Sequence, residues 1–235
     1  YQSDRSGEYQ LVIRKADGSG PDQVLTTLGS GFRFAPMWSP NSQKIAFTDE
    51  KFVVSVLDVK SKKLSEAGKI RVLSPSGLRN FRVDWSTDSR WLAYTRLSEN
   101  WHDVIMLHDT KKGKTSQITS GFYNDWNPTF GADGDYLFYL SERQVNPTRS
   151  DIADSWVYVN GTRIVAMPLR ADVDDILAPR NDDEEATEDE GKEEKEDKDD
   201  DEEEDQEDEE KDETVEIDVE GLEDRARLLP LGANR

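Results

Sequence analysis

Apolar residues in this chain fall in short runs, each bounded by Gly, Pro, Asn, Asp or Ser. None approaches the ~18 residues of a membrane-spanning helix, and the runs are the length of strands. Three of them open alike. Trp38-Ser-Pro-Asn-Ser-Gln-Lys-Ile-Ala-Phe47, Trp85-Ser-Thr-Asp-Ser-Arg-Trp-Leu-Ala-Tyr94 and Phe130-Gly-Ala-Asp-Gly-Asp-Tyr-Leu-Phe-Tyr139 start 47 and 45 residues apart. Each passes from an aromatic through Asn41-Ser42, Asp88-Ser89 or Asp133-Gly134 into an apolar run that ends in an aromatic. Asn, Asp and Gly tolerate the positive φ of a tight turn, and the flanking aromatics suit a pleated, buried surface. The unit is a β-hairpin, and hairpins recurring at this period predict propeller blades.

The remaining runs fill in the blades. Residues 8–14 and 23–26, joined through Asp17-Gly18, predict the last two strands of a blade whose front is missing. The same ending recurs at residues 103–108 and 117–119, and the exits Ser30-Gly31-Phe32 and Ser120-Gly121-Phe122 agree as well. A first complete blade is predicted over 33–73, with strands leading into Trp38 and at 44–48, 52–59 and within 64–72. A second is predicted over 80–119. A third starts near Asp125, with strands at 136–140 and 156–159 and an outer strand at 163–169. Phe34, Phe81 and Trp126 stand four residues ahead of Trp38, Trp85 and Phe130. Even spacing on a strand predicts one shared face, so all six aromatics are expected to fill the layers between blades.

Charge changes the picture only once it is located. Residues 181–213 hold 24 Asp and Glu against 4 Lys, which is −20 of the chain's net −21. The rest is close to neutral and shows no basic face, which argues against nucleic-acid binding. The acidic run cannot bury enough apolar surface to offset its ordering entropy, so it is expected to be a disordered insertion. It lacks the ligand spacing and turn glycine of a calcium loop. The organisation expected is residues 1–172 as partial propeller, 173–213 as acidic low-complexity insertion, and 214–235 as a re-entry strand leading towards the next blade or a second propeller. The fold class is all-β: about three and a half four-stranded antiparallel blades.

Chemistry is sparse. Cysteine is absent, so there is neither a disulfide framework nor a thiolate metal site, and the choice between cytoplasm, the working expectation, and periplasm stays open. His102 and His108 share a strand face but stand about 20 Å apart at ~3.3 Å per residue, too far to share an ion, and surface or blade-edge positions are expected for them. No Gly-x-Ser-x-Gly elbow occurs. No catalytic residue, metal ligand or cofactor is assigned. The repeat places Arg33, Arg82, Asp84, Asp125 and Asn127 near the starts of inner strands, where a propeller channel is lined. They are the candidates to meet passing peptides, against ordinary inter-blade polar contacts.

Ser3-Asp4-Arg5-Ser6-Gly7-Glu8-Tyr9-Gln10-Leu11 and Trp38-Ser39-Pro40-Asn41-Ser42 resemble the propeller repeats shared by the tricorn protease, the TolB translocation protein and dipeptidyl-peptidase-type enzymes. More specific is Tyr139-Leu-Ser-Glu-Arg-Gln-Val-Asn146-Pro147, followed by Ser150-Asp151, Thr162-Arg163, the acidic run and Val215-Glu-Ile-Asp-Val-Glu-Gly221-Leu-Glu-Asp-Arg225. That order is similar to bacterial tricorn protease homologues, in which an Ile-Asp-x-x-Gly-x-x-x-Arg segment follows a charged stretch. Phe130-Gly131 and Ala132-Asp133 depart from the usual Trp-Ser and Pro-Asp, and Phe138 stands where Ala46 and Ala93 stand. The resemblance implies the first propeller of a large serine peptidase, a substrate and product gate and scaffold with its Ser and His far beyond residue 235. It also implies a second propeller, PDZ-like and catalytic domains in the same polypeptide, and a homo-oligomeric parent. A TolB-like protein-binding propeller and the propeller of a dipeptidyl-peptidase-type hydrolase are the alternatives. No nucleic acid and no membrane is expected as partner.

Overall fold

The computed structural model describes residues 1–71, 78, 81–144, 147–149, 156–158, 161–178 and 214–230. The acidic run, Asn146 and Ser150-Asp151 lie outside them. The architecture is a partial β-propeller. A leading sheet of three strands, β1 (Gln2–Ser3), β2 (Gln10–Ile13) and β3 (Gln23–Val24), is followed by two four-stranded antiparallel blades in sequence order. The first comprises β4 (Arg33–Trp38), β5 (Lys44–Asp49), β6 (Val53–Asp58) and β7 (Leu64–Lys69). The second comprises β8 (Val83–Trp85), β9 (Trp91–Leu97), β10 (Asp103–Asp109) and β11 (Lys114–Gln117).

Alternation divides each middle strand between two seams. Leu92, Tyr94, Val104 and Met106 face the first blade, where they meet Ala46, Val54, Val56 and Ala67. Their neighbours Trp91, Ala93, Ile105 and Leu107 face the third blade and meet Leu137, Tyr139, Val165 and Met167. A strand buried on both faces therefore reads as a continuous apolar run. Leu11, Leu25, Ile45, Phe47 and Leu57 form the smaller core between the leading sheet and the first blade.

The predicted corner is formed in all three copies. The N–H of Ser42, Ser89 and Gly134 donates to the carbonyl of Ser39, Ser86 and Gly131 at 2.9, 2.8 and 3.1 Å, and each donor residue has positive φ, at 57°, 60° and 74°. The serine hydroxyls also hold the next strand: Ser39 Oγ accepts from Lys44 N at 3.0 Å, and Ser86 Oγ from Trp91 N at 2.8 Å. Gly131 has no hydroxyl, but its N–H still donates to Tyr136 O at 2.8 Å, so the hairpin survives the departure in sequence.

Two strand assignments are corrected in the third blade. Its sheet runs β12 (Asp125–Phe130), β13 (Tyr136–Ser141), β16 (Arg163–Pro168) and β17 (Arg227–Leu228). The 163–169 run is therefore the third strand. The outer strand comes from after the acidic run, with Leu228 opposite Val165 and Arg227 opposite Ala166. Trp156, expected in the blade, instead lies in β15 (Trp156–Tyr158), which pairs with β14 (Pro147–Arg149) as a separate two-stranded ribbon.

The shared aromatic face is corrected as well. On β4, Phe34 pairs with Thr48 but Trp38 with Ile45, and on β12, Trp126 pairs with Leu140 but Phe130 with Leu137. Partners three apart on one strand face opposite ways, so a β-bulge has flipped the parity. Both bulges sit at a residue of positive φ before a proline: Ala35 (47°) before Pro36 and Asn127 (57°) before Pro128. Proline has no N–H for the ladder. The second blade has Val83 there, pairs without a shift, and buries both Phe81 and Trp85. Trp38, expected in the core, is 46% exposed, whereas its counterpart Trp85 is buried. His108, expected at an edge, is buried at 1% exposure.

Ser86 is wholly buried and its hydroxyl serves the buried Trp91 amide. Ser86→Ala should lower stability by about 1–3 kcal/mol, the cost of orphaning that donor, read as a lower urea midpoint at unchanged slope.

Candidate functional site

The five channel candidates divide into two groups. Arg33 is pinned: 5% exposed, it donates to Gly29 O at 2.8 Å and Phe32 O at 3.1 Å and lies 3.6 Å from the Glu50 carboxylate. Asp125 is fully buried and 3.2 Å from Arg143. Asp84 is half-buried, with Oδ2 accepting from Phe130 N at 2.7 Å across the seam. Burial pushes its carboxyl above the usual range, against the pull of the Phe130 and Trp85 amides. Arg82 and Asn127, both exposed, come together at one cleft.

That cleft has a volume of about 240 Å³ and opens at the seam between the second and third blades, beside the starts of their inner strands. Phe81 and Arg82 form one wall, Trp126, Asn127 and Pro128 the other, and Thr95, Leu97 and Asp103 the floor, with Ile70 and Arg71 at the side. The bulge builds it. Asn127 N–H leaves its own ladder and donates to Thr95 Oγ1 at 3.0 Å, while Phe130 N–H goes to Asp84, so β12 leans on the second blade through two of its own amides. Asp103 begins β10, and burial raises its pKa. Two arginines, a carboxyl that gives up its charge early on acidification, a side-chain amide and an apolar wall make a surface able to bind both the backbone and the side chains of an extended chain. Arg71 and Asp103 were not singled out in the sequence. Only the alignment of 103–108 with residues 8–14 placed Asp103 at the head of a third strand, and nothing marked it as half-buried.

A second cluster, also unread in the sequence, centres on Arg143. Its guanidinium contacts Asp125 at 3.2 Å, Tyr139 Oη at 2.8 Å, Ser141 Oγ at 3.1 Å and Glu223 at 3.1 Å, and lies over the rings of Tyr123 and Tyr139. Glu223 also accepts from Ser120 N at 2.6 Å. These contacts give the Ile217-Asp218-x-x-Gly221-x-x-x-Arg225 segment its physical meaning. Val215 plugs the second seam, accepting from Trp91 Nε1 at 2.8 Å and donating to Asp88 at 2.9 Å. Asp218 N donates to Leu169 O, Gly221 turns the chain at φ 66°, and Leu222 is buried. Arg225 gathers the carbonyls of Pro168, Leu169, Asp218 and Glu220.

His108 belongs to the seam between the first and second blades. Thr115 Oγ1 donates to Ala67 O at 2.6 Å, so the His108 Nδ1 contact to it at 2.8 Å is made by an Nδ1–H, leaving Nε2 buried without a donor. Charging Nε2 would bury a cation, and burial lowers the pKa against the opposing pull of Asp109. In the unfolded chain His titrates near ~6.5, so below that pH the unfolded state binds the extra proton and stability falls. The loss should continue until the depressed folded pKa is passed. Urea midpoints between about pH 7.5 and 5 should fall less in His108→Gln than in the wild type; parallel curves would remove His108 from the account.

The family model of the tricorn protease second β-propeller domain matches residues 1–235. The tricorn protease of Thermoplasma volcanium is 27% identical over 179 residues, covering 69% of this chain and 17% of that protein. Tricorn protease homolog 1 of Streptomyces coelicolor is 25% identical over 236 residues, covering 99% of this chain and 20% of that protein. A crystal structure of the tricorn protease superposes with a TM-score of 0.60 at 18% identity, over 90% of this chain and 18% of that one. The chain thus spans about a fifth of the length of the relatives it matches. The model that matches is of the second propeller, where the resemblance had implied the first. With its stacked antiparallel sheets, shared corners and matching model over the whole length, the chain belongs to the tricorn protease second β-propeller family.

Proposed function

We propose that this propeller serves a tricorn-like serine peptidase as a scaffold and as a gate past which peptides move, and that it carries no part of the active site. The observation that carries the reading is the cleft between the second and third blades. Arg82, Asn127 and Asp103 stand there on an apolar wall at the inner-strand end of the seam, held by the two amide bonds from β12. Peptides carry both charges and an unpaired backbone, and a rim of mixed charge and amide attracts them without the cost of full desolvation. Arg33 and Asp125 are buried in ion pairs and do not line the cleft.

The test uses the intact protein and a peptide library. Arg82→Ala and Asn127→Gly, the latter keeping a residue suited to positive φ, should change which peptides are processed. The specificity ratio between acidic and neutral peptides should shift about 5- to 10-fold, the scale of one lost charged contact of about 1–1.4 kcal/mol. Hydrolysis of a minimal substrate should stay as it was. Unaltered preference across the library in both variants would refute the gate.

A further inference from the structure

The segment that returns after the acidic run is built like a strand and has no sheet to belong to. Val215, Ile217 and Val219 turn to the core, while Glu216, Asp218 and Glu220 are exposed, the alternation of an extended chain. Yet among the described residues 214–220 join no ladder, and the outer strand of the third blade begins only at Arg227.

Its backbone is satisfied unevenly. In an extended chain the N–H and C=O of one residue point to one side and those of the next residue to the other. Asp218 gives its pair to the third blade and its clamp: its N–H donates to Leu169 O at 2.9 Å, and its carbonyl accepts from Arg225 at 2.6 Å. Val215 gives its pair to the second blade, through Asp88 and Trp91. Ile217 and Val219 share the side of Val215, and their amides and carbonyls have no partner among the described residues. Two residues in alternation, both open along one edge, are the template on which an extended chain adds as a strand.

That edge borders a cleft of about 760 Å³ between the segment and the outer part of the second blade, where Trp91 and Ser116 line it. It lies at the corner end of the seam, beside Trp91 at the start of β9, while the Arg82 cleft lies beside Leu97 at the other end of that strand. The cleft is lined by four basic and four acidic residues. Arg90 is paired with Asp109 and Arg225 with carbonyls. The charges left facing each other are Lys112 and Lys114 on the blade wall and Glu216, Asp218 and Glu220 on the segment wall.

We infer that this cleft binds an extended peptide of mixed charge as an added strand, hydrogen-bonded to Ile217 and Val219. Basic side chains at alternate positions of the added strand meet Glu216, Asp218 and Glu220, since opposite charges across a strand pair attract. Acidic side chains meet Lys112 and Lys114. A uniformly acidic or uniformly basic chain is repelled by one of the two walls, so the cleft discriminates by charge pattern and not by net charge. This site is separate from the Arg82 cleft and does not depend on it.

Hydrogen exchange of the intact protein, read on the fragment spanning residues 214–221, tests it with a capped decapeptide of alternating Lys and Glu. Without peptide the fragment should exchange fast. With saturating peptide its exchange should slow several-fold, and decapeptides of Lys alone or Glu alone should do so only at much higher concentration. Lys112→Glu/Lys114→Glu, both on an exposed turn, should raise the concentration of alternating peptide needed about tenfold, with the melting temperature unchanged. No slowing at any concentration of that peptide would overturn the inference. So would equal slowing by its fully N-methylated form, which keeps the charges but cannot add as a strand. Exchange already slow before peptide is added would overturn it too, by showing the edge occupied by the rest of the protein or by a second copy. The readout is backbone protection at residues 214–221 and not the choice of peptides hydrolysed, so its failure is distinct from failure of the gate.

Discussion

Every complete blade here is a sheet that cannot hide its own faces. The side chains of β9 and β10 alternate between two seams, so neither strand has a solvent side, and each blade exists only because another lies against it. Apolar burial supplies most of the energy: at about 1.5–3 kcal/mol for each large side chain, the buried residues of the two seams together outweigh the cross-seam hydrogen bonds, worth about 1 kcal/mol each. What the hydrogen bonds decide is registry. Asn41 N to Ser89 Oγ and Lys44 Nζ to Ser89 O lock corner to corner, and Tyr94 Oη and Thr115 Oγ1 meet on the single carbonyl of Ala67. A blade that slid by one residue would keep much of its oil and lose all of these.

The third blade shows how the same rule handles a long detour. The chain leaves after Leu169 and comes back at Thr214, and the closure cost of so long a loop grows only with the logarithm of its length. The return has to be worth more than that cost. Val215 and Leu222 supply buried surface, Trp91 and Asp88 fix the height at which the segment docks, and Arg225 ties the Pro168 and Leu169 carbonyls at the end of the third strand to those of Asp218 and Glu220 in the returning segment. The spacing of Ile217, Asp218, Gly221 and Arg225 reflects this sequence of tasks: pack, pair, turn, clamp.

The sequence made the architecture legible where residue type dictates backbone conformation. Asn41-Ser42, Asp88-Ser89 and Asp133-Gly134 could be read as turns because positive φ restricts the choice of residue, and the hairpins followed from them. Parity could not be read through Ala35-Pro36 and Asn127-Pro128. A bulge adds a residue without changing the composition of the strand, so Phe34 and Trp38 looked like companions on one face and are not. Strand order in the third blade was hidden for another reason: Arg227 and Leu228 pair with residues some sixty positions earlier, and nothing local distinguishes an outer strand from a third one. Of the site, the inner-strand positions were legible from the repeat. Which of them line the cleft and which are buried was not, because Arg33 and Asp125 are fixed by partners, Glu50 and Arg143, that no spacing rule connects to them.

That division bears on the proposed gate. Residues buried in ion pairs are poor places to tune selectivity, since removing one partner leaves the other uncompensated and costs the fold. Arg33 and Asp125 are of that kind. Arg82 and Asn127 stand at the same level of the propeller but reach the cleft with solvent beside them, and Asp103 shares it as a half-buried carboxyl. The bulge in β12 makes this possible: by handing two backbone amides to the neighbouring blade it secures the inner strand without using the side chains that face the opening. The support of this inner strand thus comes in part from its backbone, while Arg82 and Asn127 stay exposed at the cleft, and that separation of support from exposed side chains is what the proposed gate relies on.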